Sequence, residues 1–360
     1  MKHIIFFFIL FICSCKQIEK TYYDVEQIHI TLDNDTIKAS TFIKDAVVIK
    51  LETNDDCLIQ AIFKIQYVNN KIFILDINCN SIFIFNKDGS FDKKLFKVGS
   101  GPGEYNRLID FLVQDDFLYT MDFTTRSLLK YNMNLDYLGR INYRAFSSKF
   151  VVKGDILWTY NEPTGQQEDY QFTCIINNGD ELNHCLPRNS INHIYNWGAE
   201  LNIFSLSKNT IYTSPKYGSL VYHIVNNNMN PIYQIKFNTN NFPENENINE
   251  YDRFSQNFNY IMKENIYITD NFFIFDYFYK QYRNFCFYNM KNKSLQYGVV
   301  NNDLIKNFIF SPRWGNDNFL IETVESHHVI EEFPFLVKYY EQLKDIKSDD
   351  NPIIIIYSLQ

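Results

Sequence analysis

Glycine is scarce in this chain, 12 in 360 residues, and three of the twelve stand at alternate positions in one stretch: Gly99, Gly101 and Gly103. A phosphate-cradling loop needs a following helix and a Gly-Lys-Ser/Thr ending. The residues after this stretch, Glu104-Tyr105-Asn106, supply neither lysine nor hydroxyl, so a nucleotide reading fails. Basic clusters are also missing. The formal charge is −8, and an acidic chain without a Lys/Arg patch lacks the cation–phosphate contacts of a nucleic-acid binder. No apolar run reaches the roughly 20 residues of a membrane-spanning helix. Ile4–Ile12 and Ile353–Tyr357 are far shorter, and the second reads as a buried strand. Cys57, Cys79, Cys174, Cys185 and Cys286 are odd in number and scattered, which is no disulfide framework, and no Cys-x-x-Cys marks a zinc site. Cys174 and Cys185 flank the turn Asn177–Asp180, but a symmetric turn pairs Cys174 with Asn183 and leaves the two thiols out of register. No Gly-x-Ser-x-Gly elbow or His-Glu-x-x-His order is present. His327-His328 with Glu331 and Glu332 offers ligand types without that order and reads as a solvated loop before a helix.

Aromatic residues, by contrast, abound: 33 Phe and 26 Tyr, types that suit pleated surfaces. They fall into a repeat. A shift of 46 positions lays Lys71–Asp76 (KIFILD) on Phe117–Asp122 (FLYTMD), Phe85-Asn86 on Tyr131-Asn132, and Phe91 on Tyr137. Each unit is an apolar strand ending in Asp, a turn, a second strand, an Asn/Asp/Gly turn and a third strand. Looser copies begin at Asp155, Asn209, Phe272 and Phe308. A period in the forties with about four strands per unit is the pattern of propeller blades. The expected fold is all-β: a six-bladed propeller of four-stranded antiparallel blades. Its ring closes by pairing strand-like residues within Val47–Ile65 with Ile353–Leu359, which removes exposed edges. Phe335–Ile346, apolar at helical spacing, predicts one short C-terminal surface helix. The glycine stretch, Gly99, Gly101, Pro102, Gly103, Glu104 and Tyr105, becomes a structural loop from the rim of one blade to the axis of the next.

The chain starts with Lys2 and His3, an apolar core, and Ile12-Cys13-Ser14-Cys15. A charged start and a short apolar core describe a signal peptide, and the last four residues resemble the lipobox of bacterial lipoproteins. That resemblance implies cleavage after Ser14 and lipidation of Cys15. The organisation expected is a signal peptide (1–14), a lipidated tether (15–27) and a propeller (28–360). Lys16, where the sorting analogy would look for Asp, points to the outer membrane within the cell envelope.

With Lys50–Ile59, Gly99–Tyr105 and Asn351–Leu359, these features resemble the six-bladed β-propeller lipoproteins of Gram-negative bacteria, related to NHL-repeat propellers. The resemblance implies fold and tether, and no established reaction. Asp76 and Asp122 end equivalent strands near the axis; they are expected to bond turn amides rather than hold a metal. No cofactor is expected. Loops between second and third strands, and between blades, share one face, where Arg107, Arg126, Tyr217, Arg283, Arg313, Trp314 and His327 are placed as ligand-binding candidates. The function expected is non-catalytic binding of a glycan, peptide or envelope protein. The alternative is a hydrolase or lyase with a metal on the axis. Replacing Cys15 by Ala is expected to abolish palmitate labelling and to release the protein from the membrane fraction; unchanged labelling refutes the anchor.

Overall fold

The computed structural model describes residues 25–32, 35–161, 169–176, 179–188, 202–215, 218–242, 260–261, 263–316 and 318–360. Three strands come first: β1 (Glu26–Ile30), β2 (Thr36–Lys38) and β3 (Ile43–Ile49). Blade 1 is β4 (Ile62–Val68), β5 (Lys71–Asp76), β6 (Ser81–Asn86) and β7 (Phe91–Leu95). Blade 2 is β8 (Leu108–Gln114), β9 (Phe117–Asp122), β10 (Ser127–Asn132) and β11 (Tyr137–Asn142). Blade 3 is β12 (Ser147–Lys153), β13 (Ile156–Asn161), β14 (Tyr170–Ile176) and β15 (Glu181–Pro187). Blade 4 is β16 (Phe204–Ser207), β17 (Thr210–Thr213), β18 (Leu220–Val225) and β19 (Asn228–Phe237), with β1 added parallel to β19. Blade 5 is β20 (Lys263–Ile268), β21 (Phe272–Tyr279), β22 (Tyr282–Asn289) and β23 (Leu295–Asn301), with β2 parallel to β23. Blade 6 is β24 (Trp314–Asn316), β25 (Phe319–Val324) and β26 (Ile353–Leu359), completed by β3 from the other end of the chain.

The six-bladed propeller is therefore the fold, with two additions to the expectation. Blades 4 and 5 are mixed five-stranded sheets, because the chain lays β1 and β2 along their outer edges before it reaches β3. The first of these begins at Glu26, ahead of the expected start at 28. Closure by the two chain ends is as expected but the strand starts earlier than Val47–Ile65: β3, Ile43–Ile49, pairs antiparallel with β26, Ile49 opposite Ile354 and Ile43 opposite Leu359, and overlaps the expected segment only at residues 47–49. Ile62 already belongs to blade 1. The single helix expected over 335–346 is replaced by α1 (Ser326–Glu331), α2 (Pro334–Tyr339) and a 3-10 turn at Glu341–Leu343. Tyr340 adopts an extended conformation, ψ 108°, which ends α2. Val329, Leu336 and Leu343 are buried and fix this segment to the blade 5–blade 6 core.

The core is divided among the junctions between blades. Strand β5 shows why its sequence is apolar at successive positions instead of alternating. Ile72 and Ile74 face blade 6, packing with Ile321 and Ile354, while Phe73 and Leu75 face blade 2, packing with Phe111 and Leu129. A strand covered on both faces has no solvent side for polar residues to occupy. Each remaining junction has its own apolar cluster, the richest in aromatics where Phe285, Phe287, Phe310 and Tyr357 join blades 5 and 6. Two-residue turns with both φ positive link many hairpins, as at Asn69-Asn70 (51° and 58°) and Asp115-Asp116 (50° and 60°). Such turns match the twist of the strands they join.

The glycine stretch runs from outermost β7 to innermost β8. Lys97 and Tyr105 are tied across it: the Tyr105 amide donates to Lys97 O at 3.0 Å, and the Gly99 amide to Tyr105 O at 3.0 Å. The Tyr105 hydroxyl, wholly buried, donates toward Asn80 O at 3.0 Å or Leu95 O at 3.1 Å. The Gly101 amide donates to the Glu104 carboxylate at 2.7 Å, and a Cβ on Gly99 would lie 2.1 Å from that carboxylate. Gly103 has φ +75°, and a Cβ there would meet Tyr137 at 2.6 Å. Both strain and clash forbid a side chain, so Gly103→Ala is expected to cost about 1–3 kcal/mol. Gly139→Ala, where a Cβ meets nothing within 4 Å, serves as control. Urea melts that show equal loss for the two variants contradict this assignment.

Candidate functional site

Acids at the ends of the second strands are occupied by backbone. Asp76 accepts from the amides of Gln60 (2.6 Å), Ala61 (3.2 Å), Asn78 (2.9 Å) and Cys79 (2.9 Å). Asp122 accepts from the amides of Asn106, Arg107 and Thr124, each at 3.0 Å, and from the Thr125 hydroxyl at 2.7 Å. Each carboxylate thus ties its strand end to the segment entering the innermost strand. Blade 5 uses Asp276, which accepts from the Asn265 amide and pairs with Arg283 at 2.5 Å. Blade 3 uses Asn161, and the corresponding strand end in blade 4 is Thr213 rather than Pro215, its hydroxyl donating to Ile203 O at 3.1 Å. In blade 6 the same task falls to Glu322, which accepts from the Ser311 amide at 3.0 Å and the Tyr357 hydroxyl at 3.1 Å. Among the described residues no three His, Cys, Asp or Glu side chains gather as a metal site.

Around the axis the innermost strands present their unpaired edges, and polar side chains from neighbouring blades meet them. Asn316 of β24 accepts from the Tyr67 amide at 3.0 Å and donates to its carbonyl at 2.8 Å. Gln66 of β4 accepts from the Val113 amide at 2.8 Å, and Lys64 donates to Phe111 O at 2.7 Å. Asp110 accepts from the Phe150 amide at 3.3 Å; Asn202 donates to Ile266 O at 2.6 Å. Bulges at Ile62/Lys64, Leu108/Asp110 and Ser147/Lys149 put Lys64, Asp110 and Lys149 at equivalent points of β4, β8 and β12. There Lys64 pairs with Asp110 at 2.7 Å, and the Lys149 ammonium lies 4.7 Å from the centre of the Phe63 ring.

Beside this charged group lies a cavity of about 450 Å³, walled by β4, β8, β12, β24 and the Asn202–Leu206 segment and reaching the turn residues Asn69, Asp115 and Asp116. That volume is within the roughly 300–1,000 Å³ of small-molecule sites. Its walls mix the charged group with Gln66, Gln114, Phe150 and Phe204. An ammonium has three N–H donors. Those of Lys64 meet Asp110 and Phe111 O, which leaves one without an acceptor among the described residues.

Among the described residues, those placed on the loop face by sequence do not converge on one pocket. Arg107 is exposed, its guanidinium 5.7 Å from the Phe123 ring centre. Arg126, nearby in blade 2, donates to Arg144 O at 2.8 Å and lies 4.7 Å from the Phe146 ring. The Arg283 side chain, 10 % exposed, pairs with Asp276 at 2.5 Å, a structural ion pair rather than a contact group. Arg313 is exposed ahead of β24. Trp314 is 6 % exposed and donates through Nε1 to Phe63 O at 3.1 Å, a wedge between blades 6 and 1 whose residue also lines the axial cavity. His327 is half-buried on α1, its ring 4.0 Å from that of His328, so this pair sits on a helix and not in a loop. Tyr217 and Cys15 lie outside the described residues. Cys174 faces Asn183 and Cys185 faces Phe172; all five described cysteines are free. Sequence reasoning missed Lys64, Asp110 and Lys149. The 46-residue shift that aligned Asp76 with Asp122 also aligns Lys64 with Asp110, and that opposite-charge match was the available signal.

A family model described as "Domain of unknown function (DUF4934)" matches residues 25–358, all six blades. Among solved structures the chain is similar to a Bacteroides fragilis NCTC 9343 protein called an exported protein, with a TM-score of 0.75 and 18 % identity over 93 % of this chain and 99 % of that one. It is also similar to a duf4221 family member from Bacteroides vulgatus ATCC 8482, with a TM-score of 0.54 and 8 % identity over 88 % and 97 % of the two chains. Likeness at these identities shows the fold. No curated protein matches the chain.

Burial pushes the Glu322 carboxyl up to about 8 from its ordinary 4.5, against the Ser311 and Tyr357 donors that favour its charge. The unfolded chain ionises this group near 4.5, while the folded protein keeps its proton to about 8. Its stabilising effect is therefore complete below about pH 4.5 and is lost progressively as the pH rises to 8. Urea unfolding should show stability falling across that window, and Glu322→Gln should flatten this part of the profile. A Gln variant with the unaltered slope contradicts the assignment.

Proposed function

The chain belongs to the DUF4934 family, and from that premise we propose that it is an exported, lipid-anchored propeller of the cell envelope that binds a ligand without transforming it. The envelope assignment draws on the resemblance of Ile12–Cys15 to a lipobox and on the name of the Bacteroides fragilis protein with the same fold. Cys15 carries the lipid, and the outer membrane is the membrane that holds it. The ligand is a glycan or peptide of the envelope.

One observation carries the binding reading: a 450 Å³ axial cavity bordered by an ammonium, Lys64, with a donor left over. Binding sites of this kind combine a largely preformed cavity with a few placed polar groups. The binding locus moves from the loop face to the axis, because Arg283 and Trp314 are spent on packing. A hydrolase or lyase with an axial metal needs carboxylates free to take an ion. The buried carboxylate of the cavity wall, Asp110, is held by Lys64 and by the Phe150 amide.

The test is a thermal-shift screen of envelope peptides and oligosaccharides. A ligand that raises the Tm of the protein should lose that effect in Lys149→Met and keep it in Arg126→Ala. The reverse pattern returns the site to the loop face, and turnover of any ligand in the screen refutes the non-catalytic reading.

A further inference from the structure

We propose that the axial cavity takes a neutral sugar, about one or two pyranose rings of a glycan. The inference rests on the reading of that cavity as the ligand site and names the class of ligand. Its basis is the set of wall atoms that the fold leaves without partners. Gln114 donates through Nε2 to the Asp115 carboxylate at 3.1 Å. A carboxylate accepts only, so that bond fixes which end of the amide is which. The Gln114 Oε1 atom is buried and has no hydrogen-bond partner among the described residues. Gln66 uses its oxygen on the Val113 amide at 2.8 Å, and its two N–H donors are left over. Asn202 is the reverse: its amide nitrogen donates to Ile266 O at 2.6 Å, and its oxygen is left over. With the remaining N–H of Lys64, the cavity wall holds unpartnered donors on two residues and unpartnered acceptors on two others.

This mixture selects the ligand. A hydroxyl both donates and accepts and rotates to suit its neighbour, so a ring carrying several of them can meet donors and acceptors in any order. The Lys64 charge is answered by Asp110 at 2.7 Å, and its spare N–H serves a neutral oxygen. An extended peptide is a poorer fit. Peptides that lie along a sheet edge draw their affinity from main-chain hydrogen bonds. Here those edge groups are already occupied: Tyr67 by Asn316, the Val113 amide by Gln66, Phe111 O by Lys64 and the Phe150 amide by Asp110. What the wall still offers is side-chain atoms. Phe150, Phe204 and Leu206 add apolar surface beside them, which suits the C–H face of a pyranose ring.

Calorimetry on the detergent-solubilised protein tests this with maltose, cellobiose and N,N′-diacetylchitobiose, beside digalacturonate and trialanine. At least one neutral disaccharide should bind one to one, with an affinity that is the same at low and high salt. Digalacturonate and trialanine should bind more weakly than that sugar. Gln114→Leu removes the buried acceptor and spares the edge contacts, and should weaken the sugar about fivefold. Arg126→Ala should leave it unchanged. Disaccharide binding unaltered in Gln114→Leu overturns the proposal. If digalacturonate or trialanine binds in a Gln114-dependent manner and no neutral disaccharide does, the neutral-sugar assignment fails while the axial site stands. If no probe binds, or if binding is lost in Arg126→Ala alone, both fail.

Discussion

Six strands stand around one axis, and each has an edge that no strand pairs. In a closed ring these inner edges cannot be covered by another sheet, and their amides and carbonyls still require partners. The sequence answers with side chains that imitate a strand, Asn316 on Tyr67, Gln66 on Val113 and Lys64 on Phe111. Polar residues are thereby forced into the centre of a protein whose junctions are otherwise apolar. Those side chains set the blades at fixed spacing, and the space left between them is the cavity. The outer solution is different in kind: β3 and β26, from opposite ends of the chain, complete one sheet and close the ring.

The aromatic clusters depend on the same spacing. Each blade contributes one face to each of two junctions, so a strand such as β5 divides its residues between two cores. The strand-end carboxylates act within each blade, tying the second strand to the segment that enters the innermost strand. Asp76 and Asp122 meet the ordinary requirement that buried polar groups be hydrogen-bonded, each by accepting from backbone amides.

Much of the architecture was legible in the sequence because a propeller repeats its local signals. KIFILD and FLYTMD share a pattern since β5 and β9 occupy equivalent places, and Ile353–Leu359 reads as a buried strand because it is one. The parallel additions β1 and β2 were not legible: three to five residues on an outer edge need no period that distinguishes them from a tether. Nor was the break at Tyr340, since apolar spacing survives across two short helices as it does along one. Glu322 escaped notice because its longer side chain does the work of Asp from a position two residues before the strand end. The site was harder still. Arg283 and Trp314 are residue types that dominate binding surfaces, but burial and pairing depend on neighbours distant in sequence, Asp276 and Phe63. Lys64, Asp110 and Lys149 come together only through bulges in three strands.

The most direct measurement is a crystal structure of the protein grown with the envelope peptide or oligosaccharide that raises its Tm most. The account predicts electron density for that ligand on the axis, beside the Lys64 ammonium group. Ligand bound instead on the face that carries Arg107 and Arg126, with the axial cavity unoccupied, would contradict it.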